Sequence, residues 1–240
     1  MDPYIDPHTK VLINKLNISD EQDLINIEAQ LLIAGIIDID RNLHDVDFLD
    51  FKSISIIHKY LFGELYSWAG EFRTINIYKN EKVLNGLSIN YSHHSNIQKN
   101  LSNIFLSVQN LDWSHSNPQL PLIFTNFMVD IWRIHPFREG NTRTISVFMK
   151  LFAEQNHLKF NAVLLSLHTG FLRNSLVLAA VQEAPHVSHL LKIISDALTY
   201  TPHIQTKNRA VDSEKYHSIG KYDVSNYEEK PFYTKKQKQD

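Results

Sequence analysis

An all-α helical bundle carrying one small β-hairpin is the fold this sequence predicts, and three observations predict it. Glycine and proline are scarce, 7 and 8 among 240 residues, which suits long helices joined by few tight turns. Apolar residues recur at helical spacing through most of the first 200 positions. The stretch 72–91 alternates instead, and is rich in β-branched residues.

The elements follow in order. Ser19-Asp20-Glu21-Gln22 supplies a cap and an acidic first turn for a helix running to about Leu32. Phe48, Phe51, Ile54, Ile57, Leu61 and Leu65 share one face of a helix over 47–64. Phe72 to Tyr78 alternates, and Leu87 to Tyr91 alternates again after a polar turn, which reads as the hairpin. Helical spacing resumes over 92–111, with Ile97, Leu101, Ile104, Phe105 and Val108 on one face. Asn117-Pro118 opens a helix covering roughly Leu120 to Ile134, and a second amphipathic stretch covers roughly Thr142 to Gln155. Helices near 169–182 and 186–200 complete the bundle. Residues 1–200 thus read as one domain, with an opening segment at 1–45 and the hairpin as a flap at about 72–91. After Thr201 the composition shifts to Lys, Asp, Tyr and Ser, so 201–240 reads as a polar tail. It is expected to dock in part through Tyr216, Tyr222, Tyr227 and Phe232, or else to lack structure.

Composition narrows the function classes. Lys and Arg number 24 against 26 Asp and Glu, a formal charge of −2, so nothing argues for nucleic acid as the main ligand. Cysteine is absent, which excludes disulfides and thiolate zinc sites and suits a reducing cytoplasm. The first residues, Met1 to Pro7, lack the basic and apolar regions of a signal peptide. The longest apolar stretches contain charges, Asp130 and Arg133 in one, so no membrane span is expected.

The chemistry concentrates in His135-Pro136-Phe137-Arg138-Glu139-Gly140-Asn141-Thr142-Arg143. A helix leads in and another leads out, so the run is a tight loop at a helix N-terminus. Backbone N–H groups and the helix dipole favour an anion there. Gly140 permits close backbone approach, Asn141 can donate, and Arg143 offers a fork suited to phosphate oxygens. Glu139 suits phosphate only with a divalent cation between them, so the loop implies Mg²⁺ carried in with a nucleotide. His135 is the candidate general base, and Pro136 pushes it out of the α region into the loop. Phe137 reads as the anchor of the loop on the core. The other histidines are weaker: His93-His94 and His115 lack carboxylate partners at ligand spacing, and the His186–His189 pair reads as a solvated face.

The run resembles the core motif of Fic-domain proteins, His-x-Phe-x-(Asp/Glu)-Gly-Asn-Gly-Arg-x-x-Arg, matching at His135, Phe137, Glu139, Gly140, Asn141 and Arg143. Ile57 to Phe62, followed by Tyr66 to Thr74, resembles the family's helix that ends in Trp-Ala-Gly and turns into a flap; Val11 to Leu16 resembles its opening segment. Two positions depart: Thr142 replaces a glycine, and Ser146 replaces the final arginine, which in the family is understood to bind the γ-phosphate. The resemblance implies a protein adenylyltransferase that moves AMP from ATP to a Ser, Thr or Tyr hydroxyl of a protein. His135 would be the base and Glu139 the Mg²⁺ carboxylate. Phe137, Gly140, Asn141, Thr142 and Arg143 would line the nucleotide, and Thr74, Ile75, Asn76, Ile77 and Tyr78 would hold the target by strand addition. A degenerate, non-enzymatic domain that binds a nucleotide or a partner is the competing reading, supported by Ser146. Many relatives carry an inhibitory (Ser/Thr)-x-x-x-Glu-(Gly/Asn) helix. The sequence has no match to it, so no internal lock is expected; restraint would come from a separate inhibitory partner protein or from weak ATP affinity. Removing residues 1–30 or 202–240 in turn should then leave the rate unchanged.

Overall fold

The computed structural model describes residues 2–199 together with the backbone of Ser218–Ile219 and Tyr222–Asp223. Eight α-helices lie among the described residues: α1 (Glu21–Asn42), α2 (Lys52–Phe62), α3 (Ile97–Val108), α4 (Leu120–Ile134), α5 (Asn141–Gln155), α6 (Ala162–Leu167), α7 (Thr169–Ala180) and α8 (Ser188–Leu198). Strands β1 (Ser218–Ile219) and β2 (Tyr222–Asp223) pair antiparallel, Ser218 opposite Asp223 and Ile219 opposite Tyr222. The tail contacts expected of Tyr216, Tyr222, Tyr227 and Phe232 lie outside the described residues. No helix among those described is long and apolar enough to cross a membrane.

The chain divides into two compact units, each discontinuous in sequence. One holds the chain up to Asn76, Ser92–Gln109 and Ile134–Phe148; the other holds Ile77–Tyr91, Asn110–Arg133 and the described residues from Met149 on.

In the first unit Asp20 caps α1, its carboxylate accepting from the Asp23 N–H at 2.9 Å. The helix runs on to Asn42 instead of ending near Leu32. Gly35 accounts for this: a Cβ there would meet the Tyr60 carbonyl oxygen at 2.7 Å, so the glycine marks backbone contact with α2 and not a stop. The core is completed by Ile54, Ile57, Leu61 and Phe62 of α2, Leu101 and Phe105 of α3, and Ile145 and Phe148 of α5. Phe148 meets Phe48 and Phe105 at ring-centroid distances of 6.0 and 5.7 Å. Burying each such ring stabilises by about 1.5–3 kcal/mol.

In the second unit α7 is buried without a break from Phe171 to Val177. Its Arg173 pairs with the equally buried Glu81 at 2.7 Å and lies 4.9 Å over the Trp132 ring. The Tyr91 hydroxyl donates to the same carboxylate at 3.1 Å. A second cluster packs Trp113 on Phe152 edge-to-face at 4.7 Å. Helix α6 was not legible in the sequence; Asn161 caps it, accepting from the Leu164 N–H at 3.1 Å, but 6 residues are too few to show a period.

The hairpin ladder expected over 72–91 is absent, and no strand lies there. The N–H groups a ladder needs are committed elsewhere: Arg73 to the Pro136 carbonyl (2.8 Å), Thr74 to the Tyr4 hydroxyl (3.0 Å) and Lys79 to the Ser88 hydroxyl (3.1 Å). The segment still turns back on itself around a 3-10 turn at Lys82–Leu84, closed by the Glu81 N–H donating to the Leu87 carbonyl at 3.1 Å. Thr74, Ile75 and Asn76 belong to the first unit, Ile77 and Tyr78 to the second.

Candidate functional site

The loop between α4 and α5 lies wholly within the first unit. Arg73 fastens its start. This arginine, 2% exposed, donates through Nε to the His135 carbonyl at 2.8 Å and through Nη2 to the Ile134 carbonyl at 3.4 Å. Its other bonds run to the carbonyls of Ile75 (2.6 Å) and Ser92. Its backbone N–H adds the Pro136 carbonyl. A buried cation thus satisfies carbonyls left over where α4 ends, at the negative end of the helix dipole. His135, fully buried, adopts φ 52°, the left-handed region, where Pro136 alone would have favoured extended backbone. That conformation costs about 1 kcal/mol for a non-glycine residue and persists because Arg73 pins the carbonyls on both sides.

Phe137 and Asn141 close the loop. The Asn141 side chain accepts from the Phe137 N–H and donates to the Phe137 carbonyl, both at 2.9 Å. It therefore shapes the loop, and what it offers an anion is its backbone N–H at the start of α5. Phe137 stacks on His58 at 3.8 Å, a core anchor as the sequence suggests. Gly140 has φ 75°, and a Cβ there would overlap the Phe62 ring. Glycine is required here to pack on Phe62, a reason the sequence did not show.

His58 holds the loop from below. The Gly70 N–H donates to Nδ1 at 2.8 Å, so the proton sits on Nε2, which donates to the Glu139 carbonyl at 3.1 Å. Burial pushes its pKa down to about 3; the Glu139 bond opposes this and the Arg143 charge adds to it. The ring is a neutral strut between two backbone segments.

The charged side of the loop is a network. Glu139 accepts from its neighbour's Gly140 N–H at 2.9 Å and from Arg143 Nη2 at 3.3 Å. Arg143 Nη1 pairs with Glu28 Oε1 of α1, and its guanidinium lies 5.0 Å over the Phe62 ring. Glu28 Oε2 accepts from the Tyr66 hydroxyl at 2.6 Å. Burial, then the Glu28 charge, pushes the Tyr66 phenol far up, so it stays a donor. Arg138, 1% exposed at its side chain, pairs with Asp2 at 2.9 Å. Thr142 and Ser146 are half-buried on α5, and the Thr144 hydroxyl donates to the Gly140 carbonyl at 2.9 Å.

Sequence reasoning missed Glu28, His58, Arg73, Tyr66 and the Asp2–Arg138 pair. Two had a readable signal: Glu28 lies four residues after Leu24 on the buried face of α1, and His58 lies between Ile54 and Leu61 on that of α2. Two contacts argue against the expectation that removing residues 1–30 leaves the rate unchanged: Asp2 pairs with Arg138 of the loop and Glu28 with Arg143 of α5.

Residues 48–153, which include the loop, match a family model described as Fic/DOC family. The chain is 30% identical over 157 residues to the protein adenylyltransferase VbhT of Bartonella schoenbuchensis, spanning 64% of this chain but only 31% of that one. It is 30% identical over 153 residues to the probable protein adenylyltransferase y4lH of Sinorhizobium fredii, covering 62% of this chain and 74% of that relative. Among solved structures, the effector BepC of Bartonella tribocorum with bound AMPPNP superposes with a TM-score of 0.67 at 18% identity, over 81% of this chain and 95% of that one. With the loop inside the matched span and three quarters of one such relative covered at that identity, this chain belongs to the Fic/DOC family.

Proposed function

We propose that this chain is a protein adenylyltransferase, moving AMP from ATP to a Ser, Thr or Tyr hydroxyl of a protein target and releasing pyrophosphate. One observation carries the reading: the stretch that follows His135, pinned by Arg73, His58 and Asn141, brings a helix N-terminus, a carboxylate and a preorganised arginine together within nine residues. The names of the adenylyltransferase relatives and the AMPPNP bound to BepC support it.

In this mechanism His135 takes the acceptor hydroxyl's proton as the oxygen bonds to the α-phosphorus. The bond from that phosphorus to the bridging oxygen breaks, and pyrophosphate leaves. The Asn141 N–H meets the charge that develops on the α-phosphate oxygens, joined by the Gly140 N–H once the Glu139 carboxylate that now accepts from it turns away, and Arg143 meets the outer phosphates. Thr142 lines the nucleotide; Phe137, expected there too, is fully buried against His58 and instead anchors the loop on the core. His135 is fully buried, so the reading requires its ring to become accessible when an acceptor arrives, a shift on the scale of a loop movement. Thr74, Ile75 and Asn76 follow Arg73 directly in the first unit and are the part of the expected flap against which an extended target would align.

Mg²⁺ fits the donor set. Among the described residues no group of three or more His, Cys, Asp or Glu could hold a metal, and Glu139 offers one carboxylate at the loop. One carboxylate plus phosphate oxygens is the usual Mg²⁺ arrangement, so the ion would arrive with ATP. When bound it supplies charge neutralisation on the phosphates.

The test uses the full chain with Mg²⁺, ATP labelled at the α-phosphate and a cell lysate, beside His135→Asn, which tolerates a positive φ. Label should pass to protein with the wild type and fall by ~10²–10⁴-fold with the variant. Nucleotide binding without any transfer would instead support the non-enzymatic reading, which Ser146 favours.

A further inference from the structure

From the arrangement of α1 against the loop we infer that Glu28 is a positioning residue for Arg143, fixed in turn by Tyr66, and that this relay sets the protein's affinity for nucleotide phosphates. The inference rests on the proposed phosphate role of Arg143.

Three features carry it. The carboxylate is held at both oxygens, by Arg143 at Oε1 and by the Tyr66 hydroxyl at Oε2. Tyr66 is itself immobile: it is 2% exposed and stacks on Trp68 at 4.4 Å. Arg143 is bounded by the Phe62 ring on one face and by Glu28 and Glu139 at two edges, yet its side chain stays 30% exposed. It can therefore meet an incoming anion while both pairs remain in place. An arginine otherwise gives up several rotatable bonds on binding, and here that ordering is completed before the ligand arrives.

A carboxylate beside a phosphate-binding arginine can also act as a competitor, and geometry separates the two roles. A competitor must swing aside when phosphate arrives, which demands an exposed and loosely held side chain. Glu28 is 11% exposed at its side chain and hydrogen-bonded at its far oxygen, so it stays.

The experiment is calorimetric titration of Mg·ATP into the full chain. Glu28→Gln keeps an acceptor for Tyr66 but can present a donor to Arg143. It should weaken binding about tenfold, which is about 1.4 kcal/mol. Tyr66→Phe, which removes only the hydroxyl, should weaken it about threefold while remaining folded. In an Arg143→Ala background, Glu28→Gln should change the affinity by less than about twofold, because the relay then has nothing to position. Tighter binding by Glu28→Gln would show a competitor and overturn the inference. So would an equal loss with and without Arg143, which would show a general effect of α1. If Glu28→Gln fails to fold, Tyr66→Phe decides, and unchanged affinity in that variant overturns the inference. Wild-type protein that binds no Mg·ATP would overturn the functional reading, and this inference with it. Affinity that is present but indifferent to Glu28 and Tyr66 would overturn only the inference.

Discussion

Lowering the pH from 7 to 5 should weaken this fold through one identifiable ring. His58 is neutral in the folded protein, with its pKa pushed from 6.5 down to about 3, chiefly by burial. In the unfolded chain it titrates near 6.5. Between those values the unfolded state takes up a proton that the folded state refuses, so stability is full above about pH 6.5 and falls as the pH drops. At about 1.36 kcal/mol per unit, the loss at pH 5 is about 2 kcal/mol. A folded value anywhere below about 4 gives the same figure, since the ring is then neutral at pH 5 whatever the exact position. A domain stable by about 5–15 kcal/mol would show this clearly. Protonation also has a local effect: a proton on Nδ1 breaks the bond from the Gly70 N–H, loosening the strut beneath Glu139. The assay is urea unfolding at both pH values for wild type and His58→Gln. The variant is less stable at pH 7 but lacks the buried imidazole, and the other histidines cancel in the comparison. The wild type should lose about 2 kcal/mol more than the variant between pH 7 and 5. Equal losses would refute the reasoning.

Asp2→Ala should cost about 3 kcal/mol, because it removes the charge that a guanidinium only 1% exposed is buried against. Removing residues 1–30 should accordingly destabilise the fold, and a truncated chain melting at the wild-type temperature would contradict this. Gly140→Ala should destabilise by about 2–4 kcal/mol, since it strains a φ of 75° and drives a methyl into Phe62. Phe62→Leu in the same chain should recover part of that loss in thermal unfolding, with the backbone strain remaining. Ser146→Arg should tighten Mg·ATP by about 1.5–3 kcal/mol before ordering costs, more than it tightens ADP. Calorimetry showing no gain would mean that the half-buried position does not reach the outer phosphates.

What could be read from the sequence, and what could not, follows the range of the interactions involved. Asp20 as a cap and the periodic faces of α2 and α3 depend on neighbours within about one turn, and they stand where the sequence put them. So does the loop, since a helix end, Pro136 and Gly140 are local signals. The errors lie where distant groups take over. The 72–91 stretch alternates as a strand should, yet Tyr4 lies 70 positions from the Thr74 N–H it accepts, and that bond leaves the ladder without a donor. Helix α1 runs ten residues past Leu32, and the place of Gly35 inside it depends on Tyr60, whose carbonyl oxygen a Cβ there would meet at 2.7 Å.

The candidate site shows the same division more sharply. The motif contains the groups suited to phosphate and proton chemistry, and every one could be named from its spacing. The groups that hold them are 62, 81, 115 and 136 positions away: Arg73 on His135, His58 on Glu139, Glu28 on Arg143 and Asp2 on Arg138. A motif with this internal spacing could keep every residue and still lose its geometry if one of those four were changed. The absence of a recognisable inhibitory helix said nothing about Glu28, because the question it answers concerns a sequence pattern and not which carboxylate lies beside Arg143. The two departures from the family motif therefore have unequal weight. Thr142 is half-buried in the first turn of α5. Ser146 leaves Arg143 as the motif's remaining arginine on α5, already shared between two carboxylates, so under the proposed function whatever holds Arg143 in place has the larger effect on phosphate binding.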